Sequence, residues 1–286
     1  MNDYVILTDA AADHADIRSS FPDIIPMQVT IDGEEYLYGC GGITCEEFYT
    51  RQRNGRHVRT SLITPSVYSD YFEKYLSQGL DILYLCFSSG MSGTFQSAVM
   101  AADDIAGRYP ERRIICVDTK NGSTPQGFLA RESMRRKLQG CPMEELASWT
   151  EQQCLRIGVC FTVDVLEHLV AGGRLNPAAA KIGTALHIKP FLTIDADGRL
   201  KVIGAPRGTK AALKVMVEKM AREWTPDISN YVLICHGDDP AKAEALRRQV
   251  QDAFPAAEIE IGQVGAVIGT HTGPGMISLC YWGKQR

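Results

Sequence analysis

Ser88-Ser89-Gly90-Met91-Ser92-Gly93-Thr94 lies between an apolar run, Ile82-Leu83-Tyr84-Leu85-Cys86-Phe87, and a helix-like stretch, Phe95-Gln96-Ser97-Ala98-Val99-Met100-Ala101-Ala102. A buried strand, a loop of hydroxyls and glycines, and then a helix start make a site suited to an anion. Glycine lets backbone approach a ligand closely, and the first helical N–H groups are unpaired and carry partial positive charge. The same residues also fit a plain tight connection in which Ser92 or Thr94 caps the following helix. No Gly-Lys-Ser/Thr follows, so the loop is not a nucleotide P-loop, and Gly90-Met91-Ser92-Gly93 lacks the spacing of a nucleophile elbow.

Outward from that loop the pattern repeats. Tyr4-Val5-Ile6-Leu7-Thr8 ends at Asp9, and Arg113-Ile114-Ile115-Cys116-Val117 ends at Asp118-Thr119. Both read as buried strands with polar loops at their carboxyl ends, where open α/β sheets bind ligands. Helical patterns cover 45–53, 66–77, 124–138, 143–155, 209–224 and 240–253. Further strands are expected at 156–162, 231–235, 257–261 and 276–281. Hairpins are expected over 27–38, turning at Asp32-Gly33, and over 191–203, turning at Asp195-Ala196-Asp197-Gly198. The fold class is therefore α/β, with two domains. The first, 1–158, reads as doubly wound, and the second, 159–286, as mixed with a β-hairpin.

Composition narrows the function. The chain has 286 residues, 45% hydrophobic and 22% charged, with a formal net charge of -4. No basic excess exists to neutralise a phosphate backbone, so nucleic acid is not expected as a partner. Nine cysteines without a Cys-x-x-Cys pair read as reduced thiols in a cytoplasmic protein. No apolar run reaches the ~18 residues of a membrane helix, and the first residues lack the basic start of a secretory signal. No spacing of His, Cys, Asp or Glu suggests a metal, and no cofactor motif is present.

Other polar clusters carry two readings each. In Arg59-Thr60-Ser61-Leu62-Ile63-Thr64-Pro65, Thr64 and Pro65 fit a helix entry, which leaves Thr60 and Ser61 free for a ligand. His271 stands in Gly269-Thr270-His271-Thr272-Gly273-Pro274-Gly275, where it is either structural or close to a ligand. Asp239-Pro240 reads as a helix cap. Arg174 after Gly172-Gly173, and Arg207 in Pro206-Arg207-Gly208-Thr209-Lys210, are either surface charges or anion partners. Asp9, Asp13 and Asp118 either form a carboxylate cluster or serve as separate turn and cap residues.

Taken in order, Thr8-Asp9, Thr60-Ser61, the Ser88–Ser97 segment, Asp118-Thr119, Leu166-Glu167 with Gly172-Gly173-Arg174, Lys189-Pro190, Arg207-Gly208-Thr209-Lys210 and His271–Gly275 resemble the DegV family over nearly the whole chain. The resemblance implies a two-domain α/β protein that binds one long-chain fatty acid in a pocket at or near the domain interface. It implies that a separate fatty acid kinase phosphorylates the bound carboxylate, with no catalytic centre in this chain and no cofactor beyond the bound fatty acid. Carried onto this sequence, Thr60, Ser61, Ser88, Ser89 and Ser92 would hold the carboxylate, with His271 and Arg174 beside it and Arg207 on the kinase-docking face. The chain departs from the family pattern at Ala10, where many members carry serine, and at Leu62-Ile63-Thr64-Pro65, where polar residues are more usual. Two other functions remain open on the residues alone. One is a serine-dependent acyl hydrolase using Ser89 or Ser92 with His271, and the other is a binder of a different small anion.

Overall fold

The computed structural model describes residues 3–14, 20–176 and 188–286. Strands β1 (Tyr4–Asp9), β2 (Ile24–Ile25), β6 (Asp81–Cys86) and β7 (Ile114–Asp118) form a wholly parallel sheet in the order β2-β1-β6-β7. Every residue of β1 and β6 is buried, which is why their sequences are continuous apolar runs rather than alternating ones. Helices α2 (Pro65–Leu76) and α3 (Thr94–Ala106) cover one face through Tyr68, Phe72, Ala98 and Ile105. Helices α4 (Thr124–Leu138) and α5 (Met143–Gln153) cover the other through Ala130, Met143, Leu146 and Ala147, so the sheet is wound on both sides.

The hairpin expected at 27–38 is present as β3 (Met27–Ile31) and β4 (Glu34–Tyr38). Its turn residues Asp32 and Gly33 both have positive φ, 50° and 92°, as a two-residue turn matched to strand twist requires. The hairpin does not join the parallel sheet. It forms a separate three-stranded sheet with β5 (Val58–Thr60), in which Val29 sits opposite Thr60. Helix α1 (Cys45–Arg53) completes this small unit, capped by the Thr44 side chain on the Glu47 N–H.

A six-stranded sheet follows in the order β10-β9-β8-β13-β11-β12. Its strands are β8 (Ile157–Thr162), β9 (Phe191–Ile194), β10 (Leu200–Gly204), β11 (Tyr231–His236), β12 (Glu258–Gln263) and β13 (Ile277–Trp282). All its pairs are antiparallel except β11 with β12, and the β9–β10 pair is the second expected hairpin. Helices α7 (Thr209–Glu223) and α8 (Pro240–Ala253) pack Leu213, Met216, Met220, Leu246 and Val250 on one face, against Val232, Ile234, Ile277, Leu279 and Tyr281. Asp239 caps α8 through the Lys242 N–H with Pro240 in the first turn, as the sequence indicates.

The opposite face of this sheet meets α4. Residues Thr124 to Ala130 are all buried, because this helix has a sheet on each side. Phe128 contacts Trp282 and Tyr231 at ring-centroid distances of 5.2 and 5.1 Å. Two short helices finish the fold, α6 (Glu167–Ala171) and α9 (Ala266–Thr272). Helix α1 of the small unit grips α9 and its entry. Tyr49 Oη donates to Val264 O at 3.0 Å, and Gln52 Nε2 donates to Gly269 O at 3.0 Å. Residues early in the chain therefore stand directly against residues near position 270. No helix among the described residues is long and apolar enough to cross a membrane.

Candidate functional site

A cavity lies among the three sheets, lined by residues on or next to strands of all of them. Its walls are mainly apolar, from Met27, Phe87, Met91, Leu169, Ile194 and Val267 among others. Thr60, Ser61, Ser92, Arg174 and His271 all line it. Ser61 and Leu62 are exposed, so this polar group marks the mouth.

Each mouth residue is positioned by the backbone beneath it. The β3–β5 ladder carries Thr60, and the Ser61 N–H donates to Gln28 O at 3.1 Å. In the loop after β6, Ser88 O accepts from the Met91 and Ser92 N–H groups, both at 3.1 Å, which turns Ser92 back toward the cavity. Ser92 Oγ pairs with Thr94 Oγ1 at 2.7 Å and accepts from the Thr94 N–H at 3.3 Å. The cap position itself is Gly93, which has no side chain to cap with, so neither Ser92 nor Thr94 takes the cap position expected from the sequence, although Ser92 Oγ still accepts from the first helical N–H. Arg174 follows α6 and reaches across to Met91 O at 3.3 Å, with a second bond to Gly172 O. His271 occupies the last turn of α9, and its Nε2 lies 2.8 Å from Thr60 Oγ1.

The electrostatics favour an anion. Among the described residues no carboxylate pairs with Arg174, and partial burial holds its guanidinium below the usual range. Burial, reinforced by Arg174 and then His168, pushes the His271 imidazole down to about 4, so it is neutral near pH 7. Its Nδ1 has no hydrogen-bond partner and faces Gly172, where an added Cβ would stand 2.2 Å away; glycine is what makes room for the ring. We assign the ring proton to Nε2, because Nε2 faces an acceptor in Thr60 Oγ1 whereas Nδ1 has no acceptor within hydrogen-bond distance among the described residues. On that assignment His271 donates to Thr60 Oγ1 and leaves the Thr60 O–H free to donate to a ligand.

The depressed imidazole has a stability consequence. Between about pH 6.5 and 4 the unfolded chain binds a proton that the folded chain refuses, so His271 lowers stability as the pH falls through that window. Asp13 acts in the opposite sense. Burial pushes its carboxyl up to about 7 from 3.8, so the folded chain keeps a proton the unfolded one has lost, and that contribution declines as the pH rises. His271→Asn is expected to raise the unfolding free energy at pH 5 relative to that at pH 7, compared with the native chain, as read by urea titration at both. An unchanged difference between the two pH values would remove His271 as a source.

The remaining sequence-identified residues lie elsewhere. Ser88 is buried off the cavity lining and donates from Oγ to Gly198 O at 2.8 Å, fastening the loop to the β9–β10 turn. Ser89 is exposed and also off the lining; its N–H donates to Asp118 Oδ1 at 3.1 Å, and its Oγ accepts from Lys120 Nζ at 3.1 Å. Arg207 is exposed ahead of α7, apart from the cavity. Asp9, Asp13 and Asp118 form no cluster. Asp9 takes Tyr84 Oη, Asp13 takes Ser123 Oγ and the Gly265 N–H, and Asp118 takes Ser89 and Lys120. Ala10 is buried off the lining beneath Gly39, whereas Leu62 lines the cavity. Sequence reasoning missed the walls. Met91 stands beside Ser92 in the sequence, and that adjacency was the available signal. Ser123, Thr124 and Ser278 also lie on the lining, but Ser123 is spent on Asp13, while Thr124 and Ser278 bond each other.

Known proteins match this chain along its length. The family described as "Uncharacterised protein, DegV family" matches residues 4–284. A DegV domain-containing protein of Clostridium perfringens is 34% identical, over 100% of this chain and 99% of its own. The solved structure of a DegV family protein from Thermus thermophilus, described for its fatty acid binding, superimposes with a TM-score of 0.87 at 27% identity, covering 99% of this chain and 100% of that one. The Streptococcus pneumoniae Fatty Acid Kinase (Fak) B3 protein loaded with linoleic acid shares the fold, with a TM-score of 0.86 at 15% identity over 99% and 100% of the two chains.

Proposed function

The chain belongs to the DegV family, and from that premise we propose that it binds one long-chain fatty acid, tail in the apolar cavity and carboxylate at the mouth. One observation carries the reading. An arginine that pairs with no carboxylate among the described residues stands with the Thr60 and Ser92 hydroxyls at the open end of a mainly apolar cavity. A carboxylate needs such donors once it leaves water, and hydrogen bonds to a charged group are about twice as strong as neutral ones. The tail supplies affinity at roughly 0.8 kcal/mol per buried methylene, while the hydroxyls fix which end faces out. In this reading Thr60, Ser61, Ser92, Arg174 and His271 form the head-group site. Ser88 and Ser89 support the loop rather than touch the carboxylate, and the parts divided near residue 158 clasp the ligand between them.

The finer role we propose is presentation of that carboxylate to a fatty acid kinase, which forms an acyl phosphate, with Arg207 on the docking face. The likeness to the Fak B3 fold and the exposure of the mouth support it. Mass spectrometry of the purified chain, native and then after organic extraction, tests the binding reading. The expected result is about one fatty acid per chain. A chain that is empty and takes up neither added palmitate nor oleate overturns it. Adding a fatty acid kinase with ATP and trapping acyl phosphate with hydroxylamine tests the second step.

A further inference from the structure

Helix α9 carries His271 in its last turn, yet its own sequence supplies no side chain to fix its start. The residue at the cap is Gly265, which has none to offer. The acceptor comes from elsewhere: Asp13 Oδ1 accepts from the buried Gly265 N–H at 2.8 Å, across 252 residues of sequence. A capping box supplies the same bond from within a helix, with a side-chain oxygen on the N–H of the cap residue. Here a distant loop supplies it.

Asp13 is itself held firmly. It is buried and lies off the cavity lining. Its Oδ2 accepts from Ser123 Oγ at 2.6 Å, and its N–H donates to Ser123 O at 3.2 Å. Gly127 lets α4 lie directly on the Asp13 carbonyl, since an added Cβ would stand 2.1 Å from that oxygen. The other bonds that α1 makes to this region have the opposite polarity, because Tyr49 Oη and Gln52 Nε2 donate to carbonyls of Val264 and Gly269. The Val264 N–H donates to His236 O at 2.8 Å, so β11 takes that N–H and Asp13 takes the next. From Gly265 to His271 the helix makes fewer than about two turns, which leaves no slack to absorb a displaced entry. The contact at stake is the 2.8 Å pair between His271 Nε2 and Thr60 Oγ1.

Resting on the head-group site proposed above, we infer that Asp13 is a positioning residue of that site: by fixing the entry of α9 it sets His271 against Thr60, and thereby aims the Thr60 hydroxyl at the carboxylate. Asp13 touches no ligand. It acts through one backbone N–H and one ring.

The test uses the full chain with Asp13→Asn and Asp13→Leu. Asparagine keeps an acceptor for Gly265, and leucine fills similar space without one. Asp13→Leu is expected to lose about tenfold in fatty acid affinity per folded chain, and Asp13→Asn to stay within about threefold of native. Two readouts separate positioning from a general loss of stability. Thr60→Val is expected to cost about tenfold or more in the native chain but about threefold or less in the Asp13→Leu chain, because residues that act through one another are not additive. Nitrogen NMR of chains labelled at histidine is expected to show His271 protonated at Nε2 in the native and Asp13→Asn chains, and a mixture of tautomers in Asp13→Leu. Asp13→Ser, whose hydroxyl stops one bond short of the Gly265 N–H, takes the place of Asp13→Leu if that chain does not fold. A leucine or serine chain that is only less stable, with native His271 signals and the full Thr60→Val cost, overturns the inference. So does an Asp13→Asn chain that loses as much affinity as Asp13→Leu. If the native chain binds no fatty acid, the proposed function fails, and the His271 signals still decide whether Asp13 sets the ring.

Discussion

Thr60→Val together with Ser92→Ala is expected to weaken fatty acid binding by between about a hundredfold and about ten-thousandfold. A hydrogen bond to a charged group contributes about 1.5–3 kcal/mol, and each 1.4 kcal/mol is tenfold in affinity. Both hydroxyls lie at the mouth, and His271 orients one of them through the 2.8 Å contact to Thr60 Oγ1. Because the two sites are neighbours sharing one ligand, the single variants are not expected to add up to the double. Binding of a labelled fatty acid, measured beside the melting temperature, separates a lost contact from a lost fold. A double variant that keeps its affinity within threefold would remove these hydroxyls from the head-group site. Ser89→Ala is the matched control, since its hydroxyl meets Lys120 outside the lining.

The second large effect is on stability. Asp9 is fully buried and accepts from Tyr84 Oη at 2.6 Å, the Phe87 N–H at 2.9 Å, the Ala11 N–H at 3.1 Å and Gln126 Nε2 at 3.2 Å. Asp9→Ala strands those donors in the core of the parallel sheet. Each buried donor left unsatisfied costs about 1–3 kcal/mol, and several together are a large part of the stability of an ordinary domain. Asp9→Asn keeps the shape but turns an N–H group toward donors, so it is expected to recover only part of the loss. Urea unfolding of the three chains reads the order directly. An Asp9→Ala chain within 1 kcal/mol of the native one would show that water replaces the carboxylate, and the network would then not be what fixes Phe87.

Much of this architecture could be read from the residues. The strands of the parallel sheet announce themselves as unbroken apolar runs because both their faces are covered. Thr64-Pro65 and Asp239-Pro240 mark helix starts because proline is compatible only with the first turn. Asp32-Gly33 marks a hairpin, but no local pattern tells that the hairpin leaves the main sheet to sit against α9. The three-residue strand ending at Thr60 is too short for periodicity to reveal, and its partner lies about thirty residues earlier.

The head-group loop shows where local reading stops. Its three serines look equivalent in sequence, yet Ser88 turns inward to Gly198, Ser89 outward to Lys120, and Ser92 into the cavity. That sorting depends on two backbone bonds to Ser88 O, which spacing does not encode. The cavity walls come from segments far apart in the chain, so they exist only once the sheets have met.

Helix α4 has its own consequence for how the molecule is made. It is enclosed between the two large sheets, with Phe128 resting on Trp282 of the last strand. As a nascent chain leaves the ribosome, the helix and the parallel sheet are complete long before Ile277–Trp282 has been synthesised. Until then one side of the helix has nothing to cover it, and the emerging polypeptide exposes an adhesive apolar surface that favours chaperone capture or misassociation. Completion of the final strand closes that exposure, so consolidation of the early portion waits on translation of the late one.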